Sequence, residues 1–309
     1  MQRNIFLQLN WRTATTFVAA MLLSVVFFSH AARAESQITL SPTSQHIKIA
    51  PGKTHEGAFT VINSGNAPLD VRIYVAPYQV QNEKYDPIFS KETPRTQISR
   101  WVSFERNTYS LKPSEQVEVP YKINTPQSIP DGGQYAAIFA ETNEEPDGSS
   151  IAKKKRVGVI LYARPDGKTV ESGKVEFTNI SNLQIVTGLT FNQRIINEGN
   201  TDLSAQSNVT VKSLSGKELF TDSQQKIVLP DTTRAVPTEW KNTPHFGITT
   251  VSQKTTLAGK EFADERTVII ISPILIIILG GAIILIVGGG IYGARRSKSK
   301  RRHASRNTR

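Results

Sequence analysis

The phrase I-N-x-G-N-x-x-L occurs twice in the chain, as "INSGNAPL" (Ile62–Leu69) and as "INEGNTDL" (Ile196–Leu203). Asn and Gly both accept positive φ, and an Asn side chain can bond its own backbone, so N-x-G-N reads as a tight turn. After the first copy, Leu69, Val71, Ile73 and Val75 alternate with Asp70, Arg72 and Tyr74, the pattern of a strand with one buried face. The second copy runs on into "NVTV" (Asn208–Val211), again of strand composition. Strand, turn and strand written twice predict a duplicated β domain.

The rest of the chain between residues 35 and 267 fits that reading. No segment has a helical period, whereas short strand-like runs recur throughout, among them "GAFTVIN", "VEVPYKIN", "RVGVILYARP" and "GKVEFTNI". Pro51-Gly52, Pro146-Asp147-Gly148, Pro165-Asp166-Gly167 and Ser215-Gly216 punctuate them. Many short strands with regular turns predict an all-β fold of two tandem immunoglobulin-like β-sandwiches. The turn at Pro165 sets the boundary, with domain one at 36–165 and domain two at 166–258. The polar stretch 259–267 reads as a juxtamembrane linker. In "YAAIFA" (Tyr135–Ala140) both faces of the strand are apolar, which predicts a central strand covered on both sides. The chain has no cysteine, so its stability has to come from buried apolar surface rather than disulfides.

The two ends set a topology. Residues 1–34 read as an export signal, with Arg3 and Arg12 before the apolar run Phe17–Ala32 and a small-x-small cleavage site at Ala32–Ala34. Val268–Tyr292 is free of charge, long enough for one transmembrane helix, and predicts the lipid bilayer as a partner through 268–292. The tail, 293–309, carries eight Lys or Arg and no acid, which predicts a cytoplasmic tail and exported N-terminal domains. The net charge of +11 comes from these ends: 26 basic residues remain between them, against 26 acids. The exported part is formally neutral, which gives no reason to expect nucleic acid as a partner.

Chemistry is sparse. His46, His55 and His245 are not at metal-ligand spacing, and nucleophile elbows and phosphate-binding loops are missing. The chain therefore reads as a non-enzyme with no catalytic residue, no metal site and no cofactor. "LPDTT" (Leu229–Thr233) lacks the glycine of a sortase signal and reads as a strand-to-turn junction. Six residues are candidates for binding. Trp101 and Tyr135 offer rings on which a sugar could stack, with a packed core aromatic as the competing reading. Lys153, Lys154, Lys155 and Arg156 offer a contact for an anionic polymer. The acids that precede them favour the competing reading of a solvated, charge-balanced loop.

The segment Ile98–Glu141 resembles the bacterial surface family of WxL-interacting proteins, in its peptidoglycan-binding domain. The shared points are Trp101–Val102, the "LKPSE" turn at Leu111–Glu115, the alternating strand that follows, and Gly-Gly-x-Tyr-Ala-Ala-Ile at Gly132–Ile138. The matched positions are mostly packing and turn residues. The resemblance implies a membrane-anchored envelope protein that binds cell-wall glycan or a surface protein, and it identifies no binding residue. An alternative is a membrane-tethered, pilus-chaperone-like assembly factor. Two Ig-like domains in series describe that class, which completes a subunit by donating a strand. Against it stand the apolar span and the absence of a long donor strand beside an evident carboxylate-anchoring Arg/Lys pair.

Overall fold

The structure, a computed structural model, describes residues 37–142, 154–167 and 169–304, with side chains placed as far as Tyr292. The expected export signal, Lys153 and residues 305–309 of the tail lie outside the described residues.

Two β-sandwiches follow one another. In the first, β1 (Ile38–Ser41), β3 (Thr54–Asn63), β9 (Gln116–Asn124) and β7 (Val102–Phe104) make a four-stranded sheet in the order β1-β3-β9-β7. It packs on a five-stranded sheet of β2 (Ser44–Ile49), β11 (Arg156–Pro165), β10 (Gln134–Thr142), β4 (Leu69–Pro77) and β8 (Thr108–Leu111), in that order. In the second, β12 (Gly173–Phe177), β14 (Leu189–Asn197) and β17 (Thr233–Trp240) face a sheet of β13 (Leu183–Ile185), β19 (Lys260–Ile271), β18 (Phe246–Leu257), β15 (Leu203–Ser213) and β16 (Glu218–Val228). The order β1-β3-β9 is repeated as β12-β14-β17, and β2-β11-β10-β4-β8 as β13-β19-β18-β15-β16. Each sandwich also has one parallel pair at the same place, β2 with β11 and β13 with β19. The duplication expected from the repeated phrase therefore extends to the whole topology. The first domain adds β7 and a short hairpin, β5 (Gln79–Gln81) with β6 (Asp86–Ile88).

The repeated phrase works as a clamp. Asn63 and Asn197 end β3 and β14 and are both buried. The Asn63 side-chain amide donates to the carbonyls of Ala67 (2.8 Å) and Lys112 (3.1 Å), and its Oδ1 accepts from the Gly65 N–H (3.0 Å). Asn197 donates to Thr201 (2.7 Å) and Val228 (2.8 Å), and accepts from Gly199 (2.9 Å). Each Asn thus closes its own turn and ties it to the end of a second strand. The backbone bonds repeat too: Ser114 donates to Asn63 and Asp231 to Asn197. Ser114 and Asp231 both have positive φ, 63° and 56°. The "LKPSE" and "LPDTT" segments are thus equivalent corners.

Burial follows the strand alternation. On β10, Ala136, Ile138 and Ala140 point into the first core, while Tyr135, Ala137 and Phe139 point the other way into a second buried cluster. This is the two-sided strand that the sequence predicts. The second cluster contains residues of both domains, the tyrosines of the first together with Ile195, Leu203, Val228 and Val236 of the second.

The expected linker at 259–267 is not one. It lies in β19, which pairs with β18 from Lys260 to Ile271. Glu261, Asp264, Glu265 and Arg266 gave it the look of a polar tether, but these charges sit on a strand at the sheet's edge region rather than in a loop. The second sandwich accordingly extends past 258. Val268–Ile271, expected in the span, also belong to this strand, because apolar composition alone does not separate a buried strand from a helix. The helix α1 (Pro273–Ala304) begins after Ser272 and carries on into the basic tail. Ser272 is its N-cap: the N–H of Ile274 donates to Ser272 Oγ (3.3 Å), Leu275 donates to its carbonyl, and Pro273 occupies the favoured first position.

Replacing Asn197 with Ala leaves a buried N–H and buried carbonyls unpaired and is expected to cost about 3 kcal/mol, whereas the partly buried partners of Asn63 lower the expected cost there to about 2 kcal/mol. The two values should agree within about 1 kcal/mol if the clamps are equivalent, as urea unfolding of each variant measures. A loss below about 1 kcal/mol at either site counts against the clamp.

Candidate functional site

The outer face of the first domain's five-stranded sheet is rich in aromatic residues, because β10 and β11 project Tyr135, Phe139 and Tyr162 away from the first core. The second domain covers part of it. Tyr135 and Tyr162 meet edge to face at 5.9 Å between centroids, and Tyr78 meets Tyr162 at 6.3 Å. At the centre lies Asp202, 1% exposed, in the second copy of the repeated phrase. Arg164 on β11 reaches its Oδ2 at 2.9 Å, and the Tyr135 hydroxyl donates to its Oδ1 at 3.3 Å. His46 stacks on Tyr162 with ring centroids 4.8 Å apart, and its Nδ1 lies 3.8 Å from Asp202. A carboxylate taken out of water costs free energy unless it is paired and hydrogen-bonded, and these groups supply that pairing.

Two further contacts lock the junction. The turn at Gly132–Gly133 presses against the second N-x-G-N turn, where Gly133 N–H and the Arg95 guanidinium both donate to the Asn200 carbonyl at 2.8 Å. A Cβ at Gly132 would lie 2.2 Å from that carbonyl oxygen, so only glycine fits. The β5–β6 hairpin reaches across on the other side. Glu83 accepts from Arg194 Nε at 2.9 Å, and its carbonyl accepts from the Ala235 N–H at 2.9 Å. The Tyr85 hydroxyl meets Thr232 Oγ1 at 2.7 Å, and Arg234 lies 4.2 Å over its ring.

The electrostatics agree with a sealed junction. Burial pushes Tyr85 up to about 12, with partial relief from its hydrogen bonds. Burial also raises Tyr135 and Tyr162 well above the usual phenol value, and the Asp202 charge adds to both. Burial works against the Arg164 charge, but Asp202 and Glu171 outweigh it and hold the guanidinium above its usual value. The Arg194 hydrogen bond holds Glu83 below the usual carboxylate range.

Beside the junction runs an open cavity of about 440 Å³, walled by Thr93, Pro94 and Arg95 on one domain and by Pro230 and Asp231 on the other. The Arg95–Asp231 ion pair spans it at 2.9 Å. The guanidinium groups near it are thus committed: Arg95 to Asp231, Arg164 to Asp202, and Arg234 to the Ile227 carbonyl (2.6 Å) and the Tyr85 ring.

A second accessible feature is the edge of β11. The neighbouring β2 pairs only with Ile160–Pro165, so among the described residues no strand pairs with this edge of Arg156–Val159. Ile160 N–H donates to Thr43, and alternation along a strand turns the backbone groups of Arg156 and Gly158 to the same side. The equivalent edge in the second domain is the stretch of β19 before Ile269, where β13 stops. Over the four matching residues that edge reads Glu265-Arg266-Thr267-Val268, against Arg156-Val157-Gly158-Val159. Charge is a usual guard of a free edge; both edges begin on one, Arg156 and Glu265, and on β11 the uncharged Val157-Gly158-Val159 follows.

The candidate residues named from sequence fall in different places. Trp101 is half-buried against the first core. Tyr135 is 2% exposed inside the junction, which removes its ring from any ligand's reach. Lys154 pairs with Glu141 at 3.5 Å, Lys155 is exposed, and Arg156 lies over the rings of Phe139 (4.8 Å) and Phe89 (5.5 Å). The junction residues Asp202, Arg164, Glu83 and Tyr85 escaped sequence reasoning. The clearest available signal was Asp202, a charge inside a turn phrase whose first copy has Pro68 at that position.

Asp202→Asn breaks a buried ion pair and is expected to cost about 3 kcal/mol, at the low end for such pairs because Arg164 keeps Glu171. Asp231→Ala removes a pair open to water and should cost less than about 1 kcal/mol. Denaturant unfolding compares the two, and small-angle scattering should report loosened domains for Asp202→Asn alone. The raised tyrosines set a pH dependence. A phenol with a raised folded pKa keeps its full contribution below the unfolded value and loses it above, so the fold should weaken as pH climbs past about 10. Calorimetry on Tyr162→Phe, with one such group fewer, should show a smaller fall in melting temperature between neutral and alkaline pH.

No family model matches the chain, and no curated protein matches it. Solved structures with a similar arrangement include a chaperone–tip adhesin complex of CFA/I fimbriae biogenesis, at 13% identity over 75% of this chain and 98% of that chain, TM-score 0.39. They also include the class 5 fimbriae chaperone CfaA, at 11% over 75% and 99%, TM-score 0.37. The E. coli chaperone DraB matches at 16% identity over 75% and 98%, TM-score 0.37.

Proposed function

We propose that the chain is a non-catalytic, single-pass protein of the cell envelope that holds a protein partner by strand addition at the open edge of β11. The observation that carries this reading is the Arg156–Val159 edge, which no strand pairs among the described residues and which is uncharged after Arg156. An incoming extended segment would pair with the outward N–H and C=O groups of Arg156 and Gly158, while its side chains meet the apolar sandwich margin at Val157 and Val159. The sealed junction fixes both domains as one body, so the edge is presented rigidly and binding orders little of the protein itself. Pro273–Tyr292 supplies the span, 20 residues of mean hydropathy 2.9 with none of it buried, and would hold the two sandwiches outside and the basic tail inside.

This is the assembly-factor alternative in its general form, with the partner's identity open and without a carboxylate-anchoring pair. Glycan binding has less support. Of the two aromatic candidates, Tyr135 is buried and Trp101 packs on the first core. Kinship with WxL-interacting proteins belongs to the same proposal. Its shared Gly132–Ile138 motif has a structural use here as the junction turn and the two-faced strand.

A photoreactive residue at Lys155 in the full-length chain tests the reading in intact cells. Arg156→Pro removes one outward N–H at the first residue of a strand, where proline is tolerated, and Arg156→Ala keeps it. Protein adducts should fall about ten-fold with Arg156→Pro, the loss of roughly one well-made contact, and stay near the wild-type level with Arg156→Ala. Equal yields in all three, or adducts to glycan alone, would overturn the proposal.

A further inference from the structure

The outer face of the second domain's five-stranded sheet changes character along its length. Register pairing groups it into rows. Nearest α1, Ile185, Ile271 and Phe246 lie side by side. The next row is Leu183, Ile269 and Ile248, with Leu214 beside Ile248 through its N–H to the Ile248 carbonyl. Most of these side chains are open to solvent, Phe246 at 59%, Ile185 at 52% and Leu214 at 78%. The third row is Thr267, Thr250 and Lys212, and the fourth pairs Glu265 with Ser252. Going away from the helix, the surface passes from apolar to hydroxyl and lysine to acid.

Two features set this face against what adjoins it. Ser272 alone separates β19 from α1, and its N–H is held by the His245 carbonyl at 2.7 Å, so the helix leaves the domain at the apolar rows with no slack. Successive rows are about 6.8 Å apart, so the apolar zone extends roughly 7–10 Å beyond the start of the helix. That matches the depth to which apolar faces sink at the boundary between headgroups and acyl chains, about 5–10 Å. Lys212, in the row beyond, stands where a long basic side chain can reach lipid phosphates.

We infer that this end of the second domain is embedded in the bilayer surface, with Leu214, Phe246, Ile248 and their neighbours in the outer-leaflet interface. The inference rests on α1 being a span and adds to it a second, monotopic contact made by a β-sheet.

The full chain in phosphatidylcholine vesicles tests it. The native sequence has no cysteine, so one introduced cysteine carries a unique spin label. Ile248→Cys and Leu214→Cys probe the apolar rows, Lys254→Cys the polar end of the same face, and Leu285→Cys the helix. All four replace side chains on the surface. Labels at 214, 248 and 285 should be accessible to oxygen and lose accessibility to a water-soluble nickel chelate, while the label at 254 remains open to nickel. Nickel access at 214 and 248 equal to that at 254, with 285 still lipid-buried, would overturn the inference and leave the span intact. Nickel access at 285 would overturn both. Dipolar broadening at 248 that disappears on dilution with unlabelled protein would assign the face to a second copy of the chain instead, and so overturn it.

Discussion

β10 is apolar on both faces, and a single sandwich covers only one of them. The first domain buries Ala136, Ile138 and Ala140 in its own core, while Tyr135, Ala137 and Phe139 face the other way, where Tyr74, Phe89 and Arg156 of the same domain cover Phe139. The second domain closes over the Tyr135 end of that face. Once it does, polar groups brought into the contact have to be satisfied, and Asp202 becomes the point where Arg164, Tyr135 and Thr201 converge.

Duplication with divergence explains much of what remains. The two domains share strand order, the placement of a parallel pair and the Asn clamp, and they differ where their surroundings differ. In the first copy the turn phrase continues with Pro68 and serves only its own domain. In the second, Asp202 and Asn200 take part in the junction. The edge equivalent to the unpaired part of β11 carries one more charge in β19, Arg266 in place of Val157. The first domain's additional hairpin, β5 with β6, has no counterpart in the second and is used wholly as a brace, through Glu83 and Tyr85.

The sequence made legible whatever depends on local alternation. The two N-x-G-N turns, the two-faced strand at Tyr135–Ala140 and the all-β class follow from period and turn chemistry over a few residues. Long-range partners left weaker traces. Glu261–Arg266 looked like a tether because charge on an edge strand and charge in a loop are alike in one dimension, and only pairing with β18 separates them. Val268–Ile271 merged with the helix because nothing but Ser272 and Pro273 interrupts the apolar run. Asp202 showed as one more turn residue, since burial by a different domain has no local signature. The basic run at Lys153–Arg156 seemed to offer free cations, yet Lys154 and Arg156 have acid and aromatic neighbours that lie far from them in sequence.

Ser272 is both the last residue tied to the sheet and the cap of the helix, which leaves no hinge between them. On the reading of α1 as a span, the body cannot swivel on its anchor: a turn of the helix about its axis turns both sandwiches with it, like a flag fixed to its pole. The compass direction in which the chain meets its neighbours along the cell surface is then set by whatever holds the helix, so contacts made inside the lipid have a say in which way the exterior looks.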